Sequence, residues 1–330
     1  MRIIIFGAGA VGSVIGGRAA QTGVDVVLVA RPPHATAIAE KGLLLRTGTG
    51  EDRIPIRAVA SVGELTAQSD DVVMITAKTQ DTPSIHAALR SWNPAAAIVC
   101  GTNGVEHERT ALRNFRRVYG MVIQLPATFE RPGEVTALCM PTNALIDVGR
   151  YPSGEDETAR EMADILANAP HILCEADPDI MVKKHGKILL NLGNAAEAAC
   201  GPAGRGSEIV RFAQDEARRV YAAAGIRFEP SDPMEAARYR ERTGTMGFSI
   251  PEGQTFLGGS TWQSLAKGAT SVETDYFNGE IVLLGRLHGE ATPANEFLQS
   301  LAVSLLQAGA KPGQWSIDQL DTAWKNTTRT

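Results

Sequence analysis

Residues 1–31 constrain this chain more than any other stretch, because strand, glycine loop, helix and second strand follow one another at the lengths of one βαβ unit. Ile3, Ile4, Ile5 and Phe6 form a short unbroken apolar run, the pattern of a strand buried on both faces of a parallel sheet. The run leads into Gly7-Ala8-Gly9-Ala10-Val11-Gly12. In this G-x-G-x-x-G arrangement Gly7 permits a tight turn, Gly9 lets the backbone approach a pyrophosphate, and Gly12 lets the next helix pack closely on the strand. The helix reaches about residue 22, Gly23 is placed to cap it, and residues 25–30 read as a second buried strand. Unpaired N–H groups at the start of that helix suit the phosphates of a dinucleotide.

The residue after the second strand sets cofactor choice, since an acid there prefers the free 2′-hydroxyl of NAD. Here it is Arg31. A guanidinium can hold a 2′-phosphate through several charge-assisted hydrogen bonds, which points to NADP(H) over NAD(H). The alternative for Arg31 is an ordinary solvated loop arginine.

A chain of 330 residues is long for one core, so two domains are expected. A net charge of −5, with no long block of like charge, leaves no electrostatic footprint for nucleic acid or an anionic membrane. Cys100, Cys139, Cys174 and Cys200 lie far apart without C-x-x-C spacing, which argues against a zinc site or a disulfide scaffold. Reduced thiols in a cytosolic protein are the simplest account. The amino terminus opens on a core strand with no room for a signal peptide, and no apolar run approaches the roughly twenty residues of a membrane helix.

Further along, residues 34–41 read as a short helix, 43–46 and 54–58 as an excursion, and 70–76 as a third buried strand delivering Lys78 at its carboxyl end. Ligands of open parallel sheets bind at that end, yet a strand-end lysine is as often a solvated tip. Residues 95–100 form the next strand, followed by Asn103-Gly104, first a turn signal and second an amide available to the nicotinamide end of a cofactor or to a substrate. Strand-like runs at 120–124, 135–140 and 144–148 suggest an antiparallel or mixed extension of the sheet. A helix at 156–169 and a strand at 171–175 complete the first domain.

From residue 177 the texture becomes helical, opening with Asp177-Pro178 as N-cap and first helical position of one long helix to residue 200. Lys183, Lys187, Asn191 and Asn194 share a face of it, either the solvated side or a polar stripe that needs partners. Helices are expected at 208–224, at 233–242, from about 272 to 288 and at 294–307, with a glycine-rich mobile loop at 245–259 and a frayed tail from 311. The expected fold is therefore α/β, a Rossmann-type doubly wound sheet over residues 1–175, followed by an all-α domain over residues 176–330 that would close on substrate.

With both halves read, the chain resembles the ketopantoate reductases (2-dehydropantoate 2-reductases) over nearly its whole length. The resemblance is carried by GAGAVG with Arg31, by Lys78 in ITAKTQD, Asn103 in TNG, Lys187 and Asn191 in KILLN, Ser260 in GGSTWQ, and Glu273 in VETDYFNG. It implies NADPH-dependent reduction of 2-dehydropantoate (ketopantoate), a small 2-oxo acid, to pantoate in pantothenate biosynthesis, with Lys187 as the catalytic lysine and general acid and Glu273 as the assisting acid. It further implies Lys78 and Asn103 near the cofactor, Asn103, Asn191, Asn194 and Ser260 near the substrate, and a homodimer formed through the helical domain. One departure concerns the substrate side. The family usually carries a second asparagine, then proline, one turn after the first. Here Ala195-Ala196 stand there, with Asn194 one position earlier and so rotated by roughly 100° around a helix. The segment before Glu273 is also one residue longer. Two rivals follow: reduction of another branched 2-oxo acid or an imine, and an NADPH sensor without catalysis.

Overall fold

A computed structural model describes residues 1–229, 241–242, 244–253 and 258–327. The chain divides into two compact units, Met1–Lys184 with Pro233–Thr255, and His185–Asp232 with Phe256–Thr330.

The first unit is built on β1 (Arg2–Phe6), α1 (Ala10–Ala20), β2 (Val26–Val29), α2 (Pro32–Lys41), β3 (Leu43–Thr47), β4 (Gly50–Ile54), β5 (Arg57–Val59) and β6 (Asp71–Ile75). It continues through α3 (Thr82–Trp92), β7 (Ala97–Cys100), α4 (Glu106–Leu112), β8 (Val118–Gln124), β9 (Ala127–Arg131), β10 (Glu134–Ala137), β11 (Cys139–Pro141), β12 (Ala144–Arg150), α5 (Glu157–Ala167) and β13 (Ile172–Ala176). Eight strands form one sheet in the order β13-β12-β8-β7-β6-β1-β2-β5. Every pairing is parallel except β8 with β12, the mixed extension that the closely spaced strand runs imply. Because β1 is wholly apolar, alternate residues serve opposite faces: Ile3 and Ile5 pack with Val14, Ile15, Met162 and Leu166, whereas Ile4 packs with Ile85, Leu89 and Ala111. Helices on both faces make the sheet doubly wound, and strand order reverses around β1, where ligands of such sheets bind.

A second sheet, β4-β3-β10-β9, was not expected from the sequence. β3 pairs in parallel with β10 across a long separation, so no local hairpin pattern announced it.

The division between the units falls after Lys184, inside α6 (Ile180–Asn191), whereas the change in sequence texture came at 175/176. Lys183 and Lys184 explain the difference, because both ammonium groups are ion-paired to the first unit, Lys183 with Asp147 and Asp177 and Lys184 with Glu108. The first unit also takes back β14 (Met246–Phe248), antiparallel to β11, so the glycine-rich stretch at 245–259 is not simply loop. Residues 254–257 of it, and nearly all of the helix expected at 233–242, lie outside the described residues.

In the second unit the single long helix expected to residue 200 is two. Leu192-Gly193 separate α6 from α7 (Asn194–Cys200), and Gly193, poor in helix interiors, packs where a Cβ would come within 3.3 Å of Val210. α8 (Glu208–Ala223) follows, then helices Ser260–Ala266, Asn278–His288, Pro293–Gln307 and Ile317–Thr327. Within the tail expected to fray from 311, Ile317–Thr327 therefore form a helix, fastened by fully buried Leu320 and by the Phe297–Trp324 ring contact. Buried Glu216 on α8 accepts the N–H groups of Ala294 and Asn295 and so caps the helix Pro293–Gln307 from across the unit.

Candidate active site

Three loops at the carboxyl edge of the large sheet are bonded to one another. Gly7 has φ +95, and a Cβ there would lie 2.6 Å from the Ala77 nitrogen, so turn geometry and close approach both require glycine. The N–H groups of Gly7 and Ala8 both donate to the Val29 carbonyl at 3.1 Å, tying the loop to the end of β2. At Gly12 a Cβ would meet Thr76 Oγ1, Gly7 O at 2.8 Å and Ile5 at 2.9 Å, which is the tight helix-on-strand packing read from the motif. Gly9 differs: its Cβ would meet nothing nearer than Gly7 O at 3.9 Å. Among the described residues nothing demands glycine at this exposed position, which fits a residue kept small for an external group.

Gly9 caps α1 without a side-chain bond, and the first turn, with Ala10 and Val11, holds no acid. The N–H groups of that turn have no intrahelical acceptor, so the site fits a pyrophosphate in both charge and hydrogen bonding. Arg31 is exposed, two residues beyond Val29 and at the N-cap of α2, where Pro32 fixes the first helical position. A hydrogen-bonded chain that the sequence did not disclose supports the loop from beneath. The Gly133 N–H donates to His34 Nδ1 at 2.8 Å, which leaves the ring proton on Nε2. That proton is donated to Ser13 Oγ at 3.2 Å, and the Ser13 hydroxyl donates to the Ala8 carbonyl at 3.0 Å. Burial, reinforced by the nearby Arg31, holds His34 below its ordinary pKa.

The second loop follows β6. Thr76 Oγ1 donates to the Gly7 carbonyl at 2.9 Å, and half-buried Lys78 starts a 3-10 turn, Thr79–Asp81. The third follows β7 and contains half-buried Asn103, whose carbonyl accepts from Thr79 Oγ1 at 3.3 Å. Gly7, Gly9, Gly12, Arg31, Lys78 and Asn103 therefore belong to one connected edge of the first unit.

In the second unit, half-buried Lys187 and buried Asn191 are separated by four residues of α6 and share a face. Among the described residues Asn191 Nδ2 is buried without a hydrogen-bond partner, and a buried donor left in this state calls for a ligand, a water or local strain to account for it. Asn194 stands apart at the start of α7. Its Oδ1 accepts from Arg205 Nη2 at 2.7 Å, and Arg205 also pairs with Glu197 at 2.6 Å, so the amide oxygen is held within its own unit. Ser260 is exposed at the first position of its helix. Half-buried Glu273 precedes the 3-10 turn Thr274–Tyr276 rather than lying within a helix, because Phe277, at φ −119 and ψ −82, interrupts the backbone before Asn278. Lys183, grouped with Lys187 by spacing, is a structural cation. Burial pulls its pKa down, but Asp147 and Asp177 outweigh this and leave it raised.

Among the described residues no group of side chains could hold a metal ion, and no helix is long and apolar enough to cross a membrane. The four cysteines are free.

Comparison with known proteins identifies the family. The family model for ketopantoate reductase PanE/ApbA matches residues 3–152, and the model of that family's C-terminal domain matches residues 189–305. A 2-dehydropantoate 2-reductase of Pyrococcus abyssi is 26% identical over 309 residues, covering 91% of this chain and 96% of the relative. The corresponding protein of Archaeoglobus fulgidus is 28% identical over 309 residues, with the same coverage of 91% and 96%. A PanE/ApbA family ketopantoate reductase from Ralstonia eutropha superposes with a TM-score of 0.75 at 26% identity, covering 94% of this chain and 99% of that one. D-mandelate dehydrogenase, solved with NADH and anilino(oxo)acetate, shares the fold with a TM-score of 0.76 at 23% identity, covering 94% and 99%. The chain belongs to the ketopantoate reductase PanE/ApbA family, pyridine-nucleotide-dependent oxidoreductases that act on CH–OH groups.

Proposed function

We propose that this protein reduces 2-dehydropantoate to pantoate with NADPH, in the cytosol and in the service of pantothenate biosynthesis. The residues that would hold the dinucleotide are the Gly7–Gly12 loop for the pyrophosphate, Arg31 for the 2′-phosphate, and Lys78 with Asn103 toward the nicotinamide end. When bound, NADPH supplies the hydride that the carbonyl carbon accepts. The protein supplies the proton. Lys187 donates a hydrogen bond to the substrate carbonyl oxygen, stabilises the negative charge that develops there, and transfers its proton to give the hydroxyl. Glu273 orients the ammonium group, while Asn191 and Ser260 hold the polar groups of the substrate.

The observation that carries this reading is Asn191. A buried amide with an unmatched donor, four residues after Lys187 on the same face of α6, is what a helix prepared for a polar ligand would present. Arg31, rather than an acid, after β2 supports NADPH.

A second reading, reduction of another branched 2-oxo acid or an imine, is favoured by Ala195. It is buried at 2% exposure where the family usually carries an amide, and Asn194 is engaged by Arg205 and so does not replace that amide. Steady-state rates with a panel of 2-oxo acids and imines, each with NADPH and with NADH, separate the two. Highest kcat/KM for ketopantoate with NADPH supports the first reading, and a different best substrate supports the second. Tight NADPH binding without oxidation by any compound overturns both.

A further inference from the structure

One turn before Lys187, α6 carries another ammonium group that belongs to the first unit and that the proposed chemistry does not use. Lys184 is 3% exposed. Its Nζ donates to the Glu108 carboxylate, to the Thr102 carbonyl at 3.0 Å and to the Cys100 carbonyl at 3.4 Å, so three donors meet three acceptors. Glu108, in the first turn of α4, is fully buried, and its second oxygen has no hydrogen-bond partner among the described residues. Burial pushes its carboxyl upward in pKa while Lys184 opposes the shift. Stability alone does not account for such a pair, because replacing a buried ion pair with apolar groups of similar volume is often neutral or favourable.

The acceptors indicate another role. Cys100 is the last residue of β7 and Thr102 directly precedes Asn103, so one ammonium group spans the turn that presents Asn103. The same turn is gripped twice more. Thr102 Oγ1 lies 3.0 Å from His107 Nδ1, whose ring stacks on His86, and the Asn103 carbonyl accepts from Thr79 at 3.3 Å. Lys184 is thus joined to the Asn103 turn at two carbonyls and to the helix that follows the turn through Glu108.

We propose that Lys184 is a positioning residue for the nicotinamide end of the cofactor: it fixes the Cys100–Asn103 turn from which Asn103 is presented. The inference rests on the assignment of Asn103 to the nicotinamide end. The adenine half, held by the glycine loop and Arg31, is independent of Lys184, which separates a positioning role from a merely structural one.

The test uses the full chain with Lys184→Met and Glu108→Gln combined, which removes both charges at nearly unchanged volume and leaves no buried charge unmatched. His107→Gln is a second variant, releasing the Thr102 hydroxyl while keeping both charges. Three quantities are read: affinity for NADPH, affinity for adenosine 2′,5′-bisphosphate, and kcat with the 2-oxo acid that the wild type reduces fastest. NADPH affinity or kcat is expected to fall about tenfold or more, the scale of a charged hydrogen bond, with the bisphosphate bound within about twofold of wild type. NADPH affinity and kcat both at wild-type levels, or bisphosphate affinity lost in step with NADPH, would overturn the proposal. A wild-type protein that binds the bisphosphate but gains nothing from the nicotinamide half overturns the assignment of Asn103 itself, a distinct outcome visible before any variant is made.

Discussion

Gly9→Ala separates a loop that is glycine-rich for folding from one that is glycine-rich for a ligand. At this position the backbone has φ −81 and ψ −152, open to any residue, and an added methyl would meet nothing closer than 3.9 Å. Alanine is a poorer N-cap than glycine by roughly 1 kcal/mol. It also restricts the unfolded chain, which returns about 0.4–1 kcal/mol, so the net change in stability is expected within ~1 kcal/mol. Ligand binding should respond differently. A methyl group on the exposed face of the loop displaces the pyrophosphate from the first-turn N–H groups, and losing one charge-assisted hydrogen bond costs about 1.5–3 kcal/mol, or roughly 10- to 100-fold in affinity. Gly12→Ala is the control, since its methyl would press on Gly7 O at 2.8 Å and Ile5 at 2.9 Å, an overpacking worth about 1–3 kcal/mol. Thermal denaturation and titration of NADPH fluorescence read the two effects. Gly9→Ala binding NADPH as wild type does, or losing as much stability as Gly12→Ala, would refute the reasoning.

Arg31→Ala should weaken NADPH binding by about 10- to 100-fold while leaving NADH binding nearly unchanged, as measured by the two dissociation constants. Equal losses for both nucleotides would remove Arg31 from the 2′-phosphate. His34, His86 and His107 are all held below 6.5 by burial first, with added charge repulsion at His34 and His107, so they fold as neutral rings. The unfolded chain takes up protons as pH drops through about 6.5 while these rings do not; their contribution is fully present above that value and is lost as pH falls through the lowered folded values. The midpoint of thermal unfolding should therefore fall from pH 7 to pH 5, less steeply in His34→Asn, whose Oδ1 can still accept from Gly133; an unchanged slope in that variant would exclude His34. Lys183→Met should cost about 1–3 kcal/mol of stability, less than a fully broken buried pair because Arg242 still pairs with Asp147 at 2.8 Å, and kcat should stay near wild type. A fall in kcat without a fall in stability would reverse the roles given to Lys183 and Lys187.

What was legible in the sequence is what local pattern encodes. The Ile3–Phe6 run, the glycine loop and the 25–30 strand each depend on neighbours in the chain, and β1, α1 and β2 occur where that pattern puts them. Elements whose partners lie far off were not legible. The second sheet needs β3 to find β10, and β14 needs β11, neither pairing leaving a mark within either segment. Helical spacing alone grouped Lys183 with Lys187, because periodicity reports a shared face and not that Asp147 and Asp177 await one of the two. It likewise carried the helix through Gly193 and placed Asn194 on that face, where long-range packing against Val210 and Arg205 prevailed. Glu108, His34 and Ser13 carry no motif at all. Their arrangement comes from tertiary contacts, and a buried charge in a short helix gives no sequence sign of its counter-ion.

The most direct test concerns the proton donor. Single-turnover oxidation of NADPH by ketopantoate, followed in wild type and in Lys187→Ala at equal cofactor saturation, isolates the chemical step from binding. The rate is expected to fall about 10²-fold or more, the usual scale for general acid catalysis, with the dissociation constant for NADPH within about twofold. A variant that transfers hydride at the wild-type rate would contradict the role of Lys187.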